Sequence, residues 1–585
     1  MKTLAYWTRI RLTTRSNSLS ALSLHDQAPP RYFTSRLIGL CLLLAVSVTY
    51  AARPPAAAIA SAHPLATRAG HEILAAGGNA FDAAIAVSAA LAVAEPTGSG
   101  FGGGGFWLLH RAEDGFQVMI DGREQAPQAA QRDMYLDKQG NVIPGLSLNG
   151  PLSAAIPGQA AALNHLARHY GQLPLKKSLA PAIKLARNGF RIDERYRNMV
   201  RWRLKALQQS PAAASIFLDN NEIPEAGFVL RQPDLARTLQ AIADHGADGF
   251  YKGPVAEQLV NSVREAGGIW TLQDLANYKI MERTPIRGQY KDLTITSAAP
   301  PSSGGIALLT MLNILSGYEL DTLDSATRKH LIIEAMRRAY RDRASYLGDP
   351  DYVSVPVARL TAANYAAGLA ASIHPDRATP SQLLPGSGGN HGGSDTSHFS
   401  IIDKDGNRVA ATLSINYPFG SGFVAAGTGV LLNDEMDDFS SKPGSPNGYG
   451  LVGGEANAIA PGKRPLSSMS PTFVEDENRI AVLGTPGGSR IITMVLLGIL
   501  DLAQGHGPES WVALPRFHQQ FLPDHISYEV DALTDTEIRA LEQRGHTLKL
   551  RSRKYGNMQA VLWNIQNNII DAASDPRGNG LAEVR

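Results

Sequence analysis

Cysteine is nearly absent from this chain, since Cys41 is the only one among 585 residues. It lies in an apolar segment near the N-terminus, so the body of the chain has no thiol for disulfides or for catalysis. A strong charge of one sign is missing too. The net charge is +2, residues 1–51 alone carry +5, and the remainder therefore carries about −3. A nearly neutral body gives no reason to expect nucleic-acid binding.

Long apolar runs are also lacking. The clearest run, "LIGLCLLLAVSV" at residues 37–48, has twelve residues and is too short to span a bilayer comfortably. Arg31 and Arg36 precede it and small residues follow, a pattern typical of an export signal. We therefore expect residues 1–51 to be a signal peptide cleaved after Ala51, with an unusually long basic leader, and the mature protein to be periplasmic or secreted. An uncleaved membrane anchor is the alternative interpretation.

The remaining chain alternates alanine-rich helical patterns with glycine-rich turns, and strand patterns dominate after residue 396. This layout predicts a mixed α/β protein. Residues 66–96 indicate two helices separated by Gly-Gly-Asn, and the Pro/Gly/Ser/Asn-rich stretch 376–395 predicts an exposed loop that is easily cut. The glycine run "GSGFGGGGF" lacks the Lys-Ser/Thr of a phosphate-binding loop and leads into a strand, which favours close backbone packing.

A hairpin is predicted where "DTSHFSIIDKDGN" continues into "RVAATLSIN". Gly406 fits a turn position that needs a positive φ. A three-residue loop makes paired residue numbers sum to 810, which places Ser414 opposite Thr396. One face then carries hydroxyl, imidazole and amide groups and the other is apolar, because side chains alternate along a strand. On this evidence alone, a half-exposed hairpin with a polar outer face is the plainer interpretation.

The chemistry of threonine offers another interpretation. A threonine at a chain terminus carries its own base, because its free α-amine has a pKa near neutrality. The hydroxyl of Thr396 could attack the Asp395 carbonyl to give an ester that water cleaves. The loop before Thr396 and the strand after it suit such a break.

Further motifs offer groups that would hold a charged substrate. "DGREQAP" ends a strand pattern with Arg123, "NDEMDDF" clusters four acids, "RPLSSMSP" pairs two hydroxyls, and "GTPGGSR" places two glycines after a strand. Arginine and hydroxyls suit a carboxylate, acids suit an amine or a metal, and adjacent backbone N–H groups suit an oxyanion. Taken singly, each motif is more often a feature of turns or of the surface.

Together, seven motifs in order resemble the bacterial γ-glutamyltranspeptidases, which are N-terminal-nucleophile hydrolases. They are "GFGGGGF", "DGREQAP", "IPGQ", "DTSHFSIIDKDGN", "NDEMDDFS", "RPLSSMSPT" and "GTPGGSRII", and the match runs from about residue 60 to the C-terminus. The resemblance implies a four-layer αββα sandwich. It also implies a proenzyme that cuts itself into a large subunit, residues 52–395, and a small catalytic subunit, residues 396–585, which stay together.

The resemblance also assigns roles to individual residues. It implies that Thr396 is the nucleophile and that Ser414, where other members have a threonine, supports the nucleophile's amine. Asn416, Glu435 and Asp438 match the residues that bind the donor's α-amine. Arg123, Ser467 and Ser468 match those that bind its α-carboxylate. Gly487 and Gly488 match the oxyanion hole, and residues 442–450 match a lid loop with Tyr449 at its tip.

The implied activity is transfer of a γ-glutamyl group from glutathione or a similar donor to water, an amino acid or a dipeptide. No metal or organic cofactor is implied, and the only expected protein partner is the second subunit made from the same chain. A cephalosporin or glutaryl acylase of the same fold is the alternative. Its substrate has no α-amine, so Glu435 and Asp438 argue against it. A non-catalytic secreted binding protein is a weaker alternative, because every matched position holds a competent residue.

Overall fold

The computed structural model describes residues 52–384, 396–447 and 450–585. The predicted export signal, Asp395 and Tyr449 therefore lie outside the described residues. Within the described residues, no helix combines the length and the apolar composition needed to cross a membrane. Residues 52–585 cluster as one compact unit.

The strands, in chain order, are β1 (Ala58–Ser61), β2 (Gly104–Arg111), β3 (Phe116–Gly122), β4 (Phe190–Arg191), β5 (Val229–Leu230), β6 (Met281–Arg283), β7 (Ile286–Tyr290), β8 (Leu293–Ser297), β9 (Ser397–Ile402), β10 (Arg408–Ser414), β11 (Val424–Ala425), β12 (Val430–Leu431), β13 (Thr472–Glu475), β14 (Arg479–Gly484), β15 (Phe517–His518), β16 (Ile526–Tyr528), β17 (Leu548–Leu550), β18 (Gln559–Asn564), β19 (Ile569–Ser574) and β20 (Leu581–Val584).

The helices are α1 (Pro64–Ala75), α2 (Ala80–Ala94), α3 (Gln159–His169), α4 (Leu175–Asn188), α5 (Glu194–Gln208), α6 (Pro211–Phe217), α7 (Pro233–His245), α8 (Asp248–Tyr251), α9 (Gly253–Glu265), α10 (Leu272–Asn277), α11 (Gly304–Leu315), α12 (Ser325–Tyr346), α13 (Val357–Leu360), α14 (Ala363–Ala371), α15 (Ile491–Ala503), α16 (Pro508–Ala513) and α17 (Asp535–Gln543).

Two antiparallel sheets form the centre of the protein. The first has the strand order β20-β1-β9-β10-β2-β3-β6 and the second β19-β18-β14-β13-β8-β7. The sheets face each other through contacts of β9 with β14 and β18, and of β10 with β14. Helices α1 and α2 cover the outer side of the first sheet, α11 and α15 cover the second, and α12 packs on α11. This arrangement is the αββα sandwich that the resemblance implies.

Helices α1 and α2 confirm the predicted pair and the break between them. Asn79 caps α2, because its side chain accepts from the backbone N–H groups of Phe81 and Asp82 while the Asp82 carboxylate accepts from Asn79 N–H. Every residue of α2 is buried, as expected of a helix that is apolar on all sides. The glycine run before β2 packs closely as predicted, since a Cβ on Gly103 would lie 2.1 Å from the Ser414 carbonyl oxygen.

The described part of the stretch 376–395 is largely exposed, as predicted, but it is anchored at two residues. Ala378 and Ser381 are buried rather than exposed. Ser381 accepts a hydrogen bond from Arg337 at 2.6 Å and donates its backbone N–H to Asp524 at 2.7 Å. Composition alone does not show such anchoring, because the partners come from distant segments. Residues 385–395 lie outside the described part.

Candidate active site

The hairpin of β9 and β10 has the predicted register. Its pairs run from Arg408 opposite Ile402 to Leu413 opposite Ser397, so the paired numbers sum to 810. Gly406 has a φ of 91° at the turn, which favours glycine. One step beyond the last recorded pair, the same register places Ser414 opposite Thr396.

The interpretation of the hairpin as half-exposed is wrong, since every residue of β9 and β10 is buried. The polar face lies against the second sheet. His398 Nδ1 and Thr412 Oγ1 share a hydrogen bond of 2.8 Å, and the Ser400 hydroxyl donates to the Gln559 carbonyl at 3.1 Å. A Cβ on Gly484 would collide with the His398 ring at 2.3 Å. An internal layer of neutral, mutually bonded polar groups therefore follows Thr396.

Thr396 itself begins this layer and is 4% exposed. The loop after α2 covers its backbone, because a Cβ on Gly98 would lie 3.1 Å from the Thr396 carbonyl oxygen. The next residue is fixed to the same loop, since the Ser397 hydroxyl donates to Glu95 at 2.6 Å. The strand that starts at Thr396 is thus held from both sides, which favours a fixed position for the threonine.

Ser414 and Asn416 connect the hairpin to the acidic turn. The Ser414 hydroxyl accepts from the Asn416 backbone N–H at 2.8 Å, and the Asn416 side chain donates to the Asp434 carbonyl at 2.9 Å. Glu435 follows directly, in a short 3-10 turn over Glu435–Asp438. The end of β10 therefore lies beside the acids that were expected to bind an amine.

Arg123 lies at the centre of a buried cluster of charges. It follows β3, is 1% exposed, and its guanidinium donates to Glu435 at 2.6 Å, to Asp438 at 2.5 Å and to Glu124 at 3.3 Å. The structure thus brings together the residue expected to bind a carboxylate and the two acids expected to bind an amine. In this structure they pair with one another.

Burial dominates the protonation behaviour of this cluster. It raises the pKa of Glu435 well above its ordinary value, although the charge of Arg123 opposes the rise. Burial likewise raises the pKa of Glu124 to about 7. Oε1 of Glu435 has no hydrogen-bond partner among the described residues. A buried carboxylate oxygen in that position is suited to an ammonium group supplied from outside.

Two residues of this cluster were not expected from the sequence. Glu124 is one, and its Oε1 would lie 3.0 Å from a Cβ on Gly104, which pairs with Ser414. The other is Arg343 on α12. Its guanidinium donates to the Ser303 hydroxyl at 3.0 Å and to the Ser468 hydroxyl at 3.2 Å. Among the described residues Arg343 forms no ion pair.

The sequence signal for Arg343 is weak, because it lies in "RRAYRDR", a basic stretch that normally predicts a solvated helix face. In the structure the pKa of Arg343 is lowered from its ordinary value, mainly by burial. The nearby charge of Arg123 adds to this lowering, and the charge of Asp438 opposes it. Arg343 is therefore a second buried cation beside Ser468, within the electrostatic range of Arg123 and Asp438.

Ser467 and Ser468 occupy the loop between these cations. The backbone N–H of Ser467 donates to Pro301 and its carbonyl accepts from the Ser303 N–H, each at 2.8 Å. Arg123 Nε donates to the neighbouring Pro465 carbonyl at 3.2 Å. The loop is thus fixed against Arg123 on one side and Arg343 on the other, as a carboxylate site requires.

The two adjacent glycines form the turn between β14 and α15. Gly487 has a φ of 147° and Gly488 a φ of 57°, conformations that side chains disfavour. Tyr340 on α12 donates to the Ser489 carbonyl and so joins this turn to the helix that carries Arg343. The turn also follows Gly484, which packs on His398 two residues from Thr396.

The described part of the lid segment reaches the acidic cluster, because Asn447 Nδ2 donates to Asp438 Oδ1 at 3.4 Å.

A group of residues that offers metal-ligand atoms lies elsewhere: His330, Glu334 and His546 have ligand atoms within 4.8 Å of one another. Arg337 and Arg338 already bind Glu334, at 3.1 and 2.6 Å. His330 and Arg343 are thirteen residues apart on α12, or about 20 Å at 1.5 Å per residue.

With this geometry in place, comparison with known proteins identifies the family. The model of the family described as Gamma-glutamyltranspeptidase matches residues 66–584. The chain belongs to the γ-glutamyltranspeptidase family. It is an enzyme of that family, and the resemblance seen in its motifs is confirmed.

Individual relatives agree with the family match. The chain is 44% identical over 569 residues to a glutathione hydrolase proenzyme of Pseudomonas sp. strain A14, covering 94% of this chain and 99% of the relative. It is 43% identical over 525 residues to the glutathione hydrolase proenzyme of Escherichia coli K12, covering 89% and 90%. The crystal structure of a cephalosporin acylase from Bacillus halodurans superposes with a TM-score of 0.79 at 27% identity, covering 91% and 96%. These matches confirm the expected fold of the γ-glutamyltranspeptidases and acylases.

Proposed function

We propose that this protein is a γ-glutamyltransferase and glutathione hydrolase, made as one chain that cuts itself between Asp395 and Thr396. The products are a large subunit of residues 52–395 and a small subunit of residues 396–585. Backbone ladders support their staying together as a heterodimer, because β1 and β2 of the large subunit flank β9 and β10 of the small one. We further propose export to the periplasm or beyond, directed by residues 1–51.

In the proposed mechanism, the freed α-amine of Thr396 takes the proton of its own hydroxyl, which attacks the γ-glutamyl carbonyl. The carbonyl oxygen becomes an oxyanion that the backbone N–H groups of Gly487 and Gly488 stabilise. The amide C–N bond then breaks, the amine leaves with the proton, and a γ-glutamyl ester of Thr396 remains. Water or the amine of an acceptor attacks this ester and restores the threonine. Ser414, opposite Thr396, helps to hold the α-amine.

The donor is recognised by the two charged groups on its α-carbon, the carboxylate and the ammonium. Arg123, Ser467 and Ser468 bind the carboxylate, while Asn416, Glu435 and Asp438 bind the ammonium. We assign Tyr449 the role of covering the bound donor because it matches the tip of the family's lid loop. The proposal needs no metal or organic cofactor, because each step uses groups of this chain.

The buried cluster of Arg123 with Glu435 and Asp438 is the observation that carries this proposal. Buried charges are costly unless they are paired. A donor with an ammonium and a carboxylate can insert into this cluster and pair with both the acids and the arginine. A glutaryl group has only the carboxylate and can pair with the arginine alone. The unpartnered Oε1 of Glu435 supports a place for an ammonium. The arrangement thus favours a γ-glutamyl donor over the glutaryl substrate of an acylase.

Turnover of γ-glutamyl and glutaryl 4-nitroanilides tests the proposal. We expect wild type to prefer the γ-glutamyl compound. Asp438→Ala should reduce that preference by about tenfold or more, because a charged hydrogen bond to the ammonium is lost. Asp437→Ala is the matched control. It removes an acid of the same turn that bonds to Ser147 at 2.7 Å, and it should leave the preference unchanged. A wild-type preference for the glutaryl compound would replace the proposal with an acylase.

A further inference from the structure

A cavity of about 540 Å³ adjoins the turn of the oxyanion glycines and has no part in the proposed donor site. Seven of its fourteen lining residues are arginine or lysine, and none of those described is acidic. The positive charge of Arg577 is balanced by ion pairs with Glu529 at 2.7 Å and Asp575 at 3.1 Å. Arg551, Arg553 and Lys554 therefore give the cavity a strongly positive segment, and Arg201 is a further lining cation.

Tyr555 gives the basic part of this cavity a fixed structure, which a simple patch of surface charges would lack. Its ring lies under two guanidinium groups, with Arg490 at 4.9 Å and Arg551 at 5.7 Å from its centre. The tyrosine is 6% exposed, and its hydroxyl has no hydrogen-bond partner among the described residues. The same is true of Nε of Arg551. Two fixed donors beside several cations lack an acceptor, which is the arrangement an anionic ligand satisfies.

The position of the cavity relates it to the reaction. Gly487 and Pro486 line it, so it begins at the turn expected to hold the oxyanion. Trp202 also lines the cavity, its ring centre lies 6.0 Å from that of Tyr417, and Tyr417 follows Asn416, which is expected to bind the donor. The donor's α-carbon groups are read at Arg123 and Asp438. This cavity is therefore suited to the group on the other side of the scissile bond.

We propose that the cavity lined by Arg201, Arg551, Arg553, Lys554 and Tyr555 is a leaving-group and acceptor subsite that selects small acidic peptides with two or more carboxylates. The inference rests on the proposed γ-glutamyl transfer and deepens it by naming the preferred partner of the reaction. A single carboxylate engages Arg551 and the Tyr555 hydroxyl. Further carboxylates engage the exposed Arg553 and Lys554, which raise the local concentration of anions.

Two γ-glutamyl anilides that differ by one carboxylate test this subsite. They are the 4-nitroanilide and the 3-carboxy-4-nitroanilide, and the measured quantity is the ratio of their kcat/KM values. We expect wild type to favour the carboxylated compound, and the ratio to fall as sodium chloride screens the cations. Arg551→Gln and Tyr555→Phe should each lower the ratio by about tenfold, since each removes a donor to a charged group.

Arg359→Gln serves as the matched control. Arg359 also stacks on tyrosines, at 5.7 Å from the Tyr346 ring and 5.1 Å from the Tyr365 ring, but does not line this cavity. It should leave the ratio unchanged. Because Tyr555→Phe keeps the ring and its packing, it decides the matter if Arg551→Gln fails to fold.

A second measurement uses wild type only and compares glutamyl-glutamate with glycylglycine as acceptors at equal ionic strength. Faster transfer to the acidic dipeptide supports the subsite. A wild-type anilide ratio near one that does not change with salt, together with equal acceptor rates, overturns the subsite alone. Failure to release nitroaniline from either anilide overturns the proposed γ-glutamyl activity itself, so the two failures are distinguishable.

Discussion

The two halves of the candidate active site differ in the kind of polar group that they bury. Around Thr396, the hairpin presents mostly neutral groups that bond to one another, such as His398 with Thr412, and the buried Glu95 accepts from the Ser397 hydroxyl. Around Arg123, two buried acids, the half-buried Asp438 and a second buried arginine lie together, and one oxygen each of Glu124 and Glu435 has no hydrogen-bond partner among the described residues. The first half can position a reacting atom without a ligand. The second half has an electrostatic balance that a zwitterionic ligand changes. Chemistry and recognition should therefore be separable by mutation.

Thr396→Ala gives the largest expected effect. It removes the hydroxyl for self-cleavage and for turnover, so the chain should stay intact and activity should fall by about 10⁴-fold or more. Gel electrophoresis, N-terminal sequencing of the smaller band and anilide turnover measure this. Thr294→Ala, at a strand threonine in the second sheet, should cleave and react normally. A small subunit of wild type that begins anywhere other than Thr-Ser-His-Phe would refute the site and the mechanism together.

Arg123→Ala should separate recognition from processing. It leaves buried acids without their cation and removes the carboxylate partner, so kcat/KM for a γ-glutamyl anilide should fall roughly 30- to several-thousand-fold, the equivalent of about 2–5 kcal/mol. Cleavage at Thr396 should persist, because it needs only the nucleophile and its neighbours. Arg408→Ala breaks another buried ion pair, with Glu475, and controls for stability loss in a thermal melt. Loss of cleavage in a folded Arg123→Ala protein would break the separation.

Arg343→Gln should have an intermediate effect. Its guanidinium bonds only to neutral hydroxyls in the described structure, so its charge remains available to the donor carboxylate beside Ser468. We expect KM for the donor to rise about tenfold, the cost of one charge-assisted hydrogen bond, with a smaller change in kcat. Arg343→Lys should restore part of the affinity, because it keeps the charge. An unchanged KM in Arg343→Gln would leave this arginine a purely structural role.

The pH dependence of donor binding should be the smallest effect. Burial raises the pKa of Glu435, so acidification protonates it sooner than it would an exposed glutamate. The protonated form cannot pair with an ammonium group, and KM for a γ-glutamyl anilide should therefore rise as the pH falls. Steady-state kinetics on processed enzyme measure this rise. In Glu435→Gln we expect KM to be higher than in wild type and to change less with pH. If KM depends on pH as steeply in this variant as in wild type, the titrating group is another residue.

Sequence patterns alone predicted the local part of this arrangement well. The Asp-Lys-Asp-Gly-Asn turn and the alternation of side chains determine the hairpin register, so Ser414 could be placed opposite Thr396 from the numbers alone. Such features are short-range, because turn geometry and strand alternation act over a few residues. The resemblance to the family, rather than any local pattern, indicated Arg123, Glu435, Asp438 and the serine pair, whose roles stay predictions.

Burial and partnership were decided only by the tertiary structure. The polar face of the hairpin looked solvated, yet the second sheet covers it, and only that packing makes it an internal layer. Arg343 looked like one of many surface arginines on α12, and its role follows from the approach of the loop at Ser468. The basic cavity joins α5 to residues 551–556, which lie more than 300 positions away. Contacts between distant segments depend on how whole layers pack, and that information is not carried by any local pattern of residues.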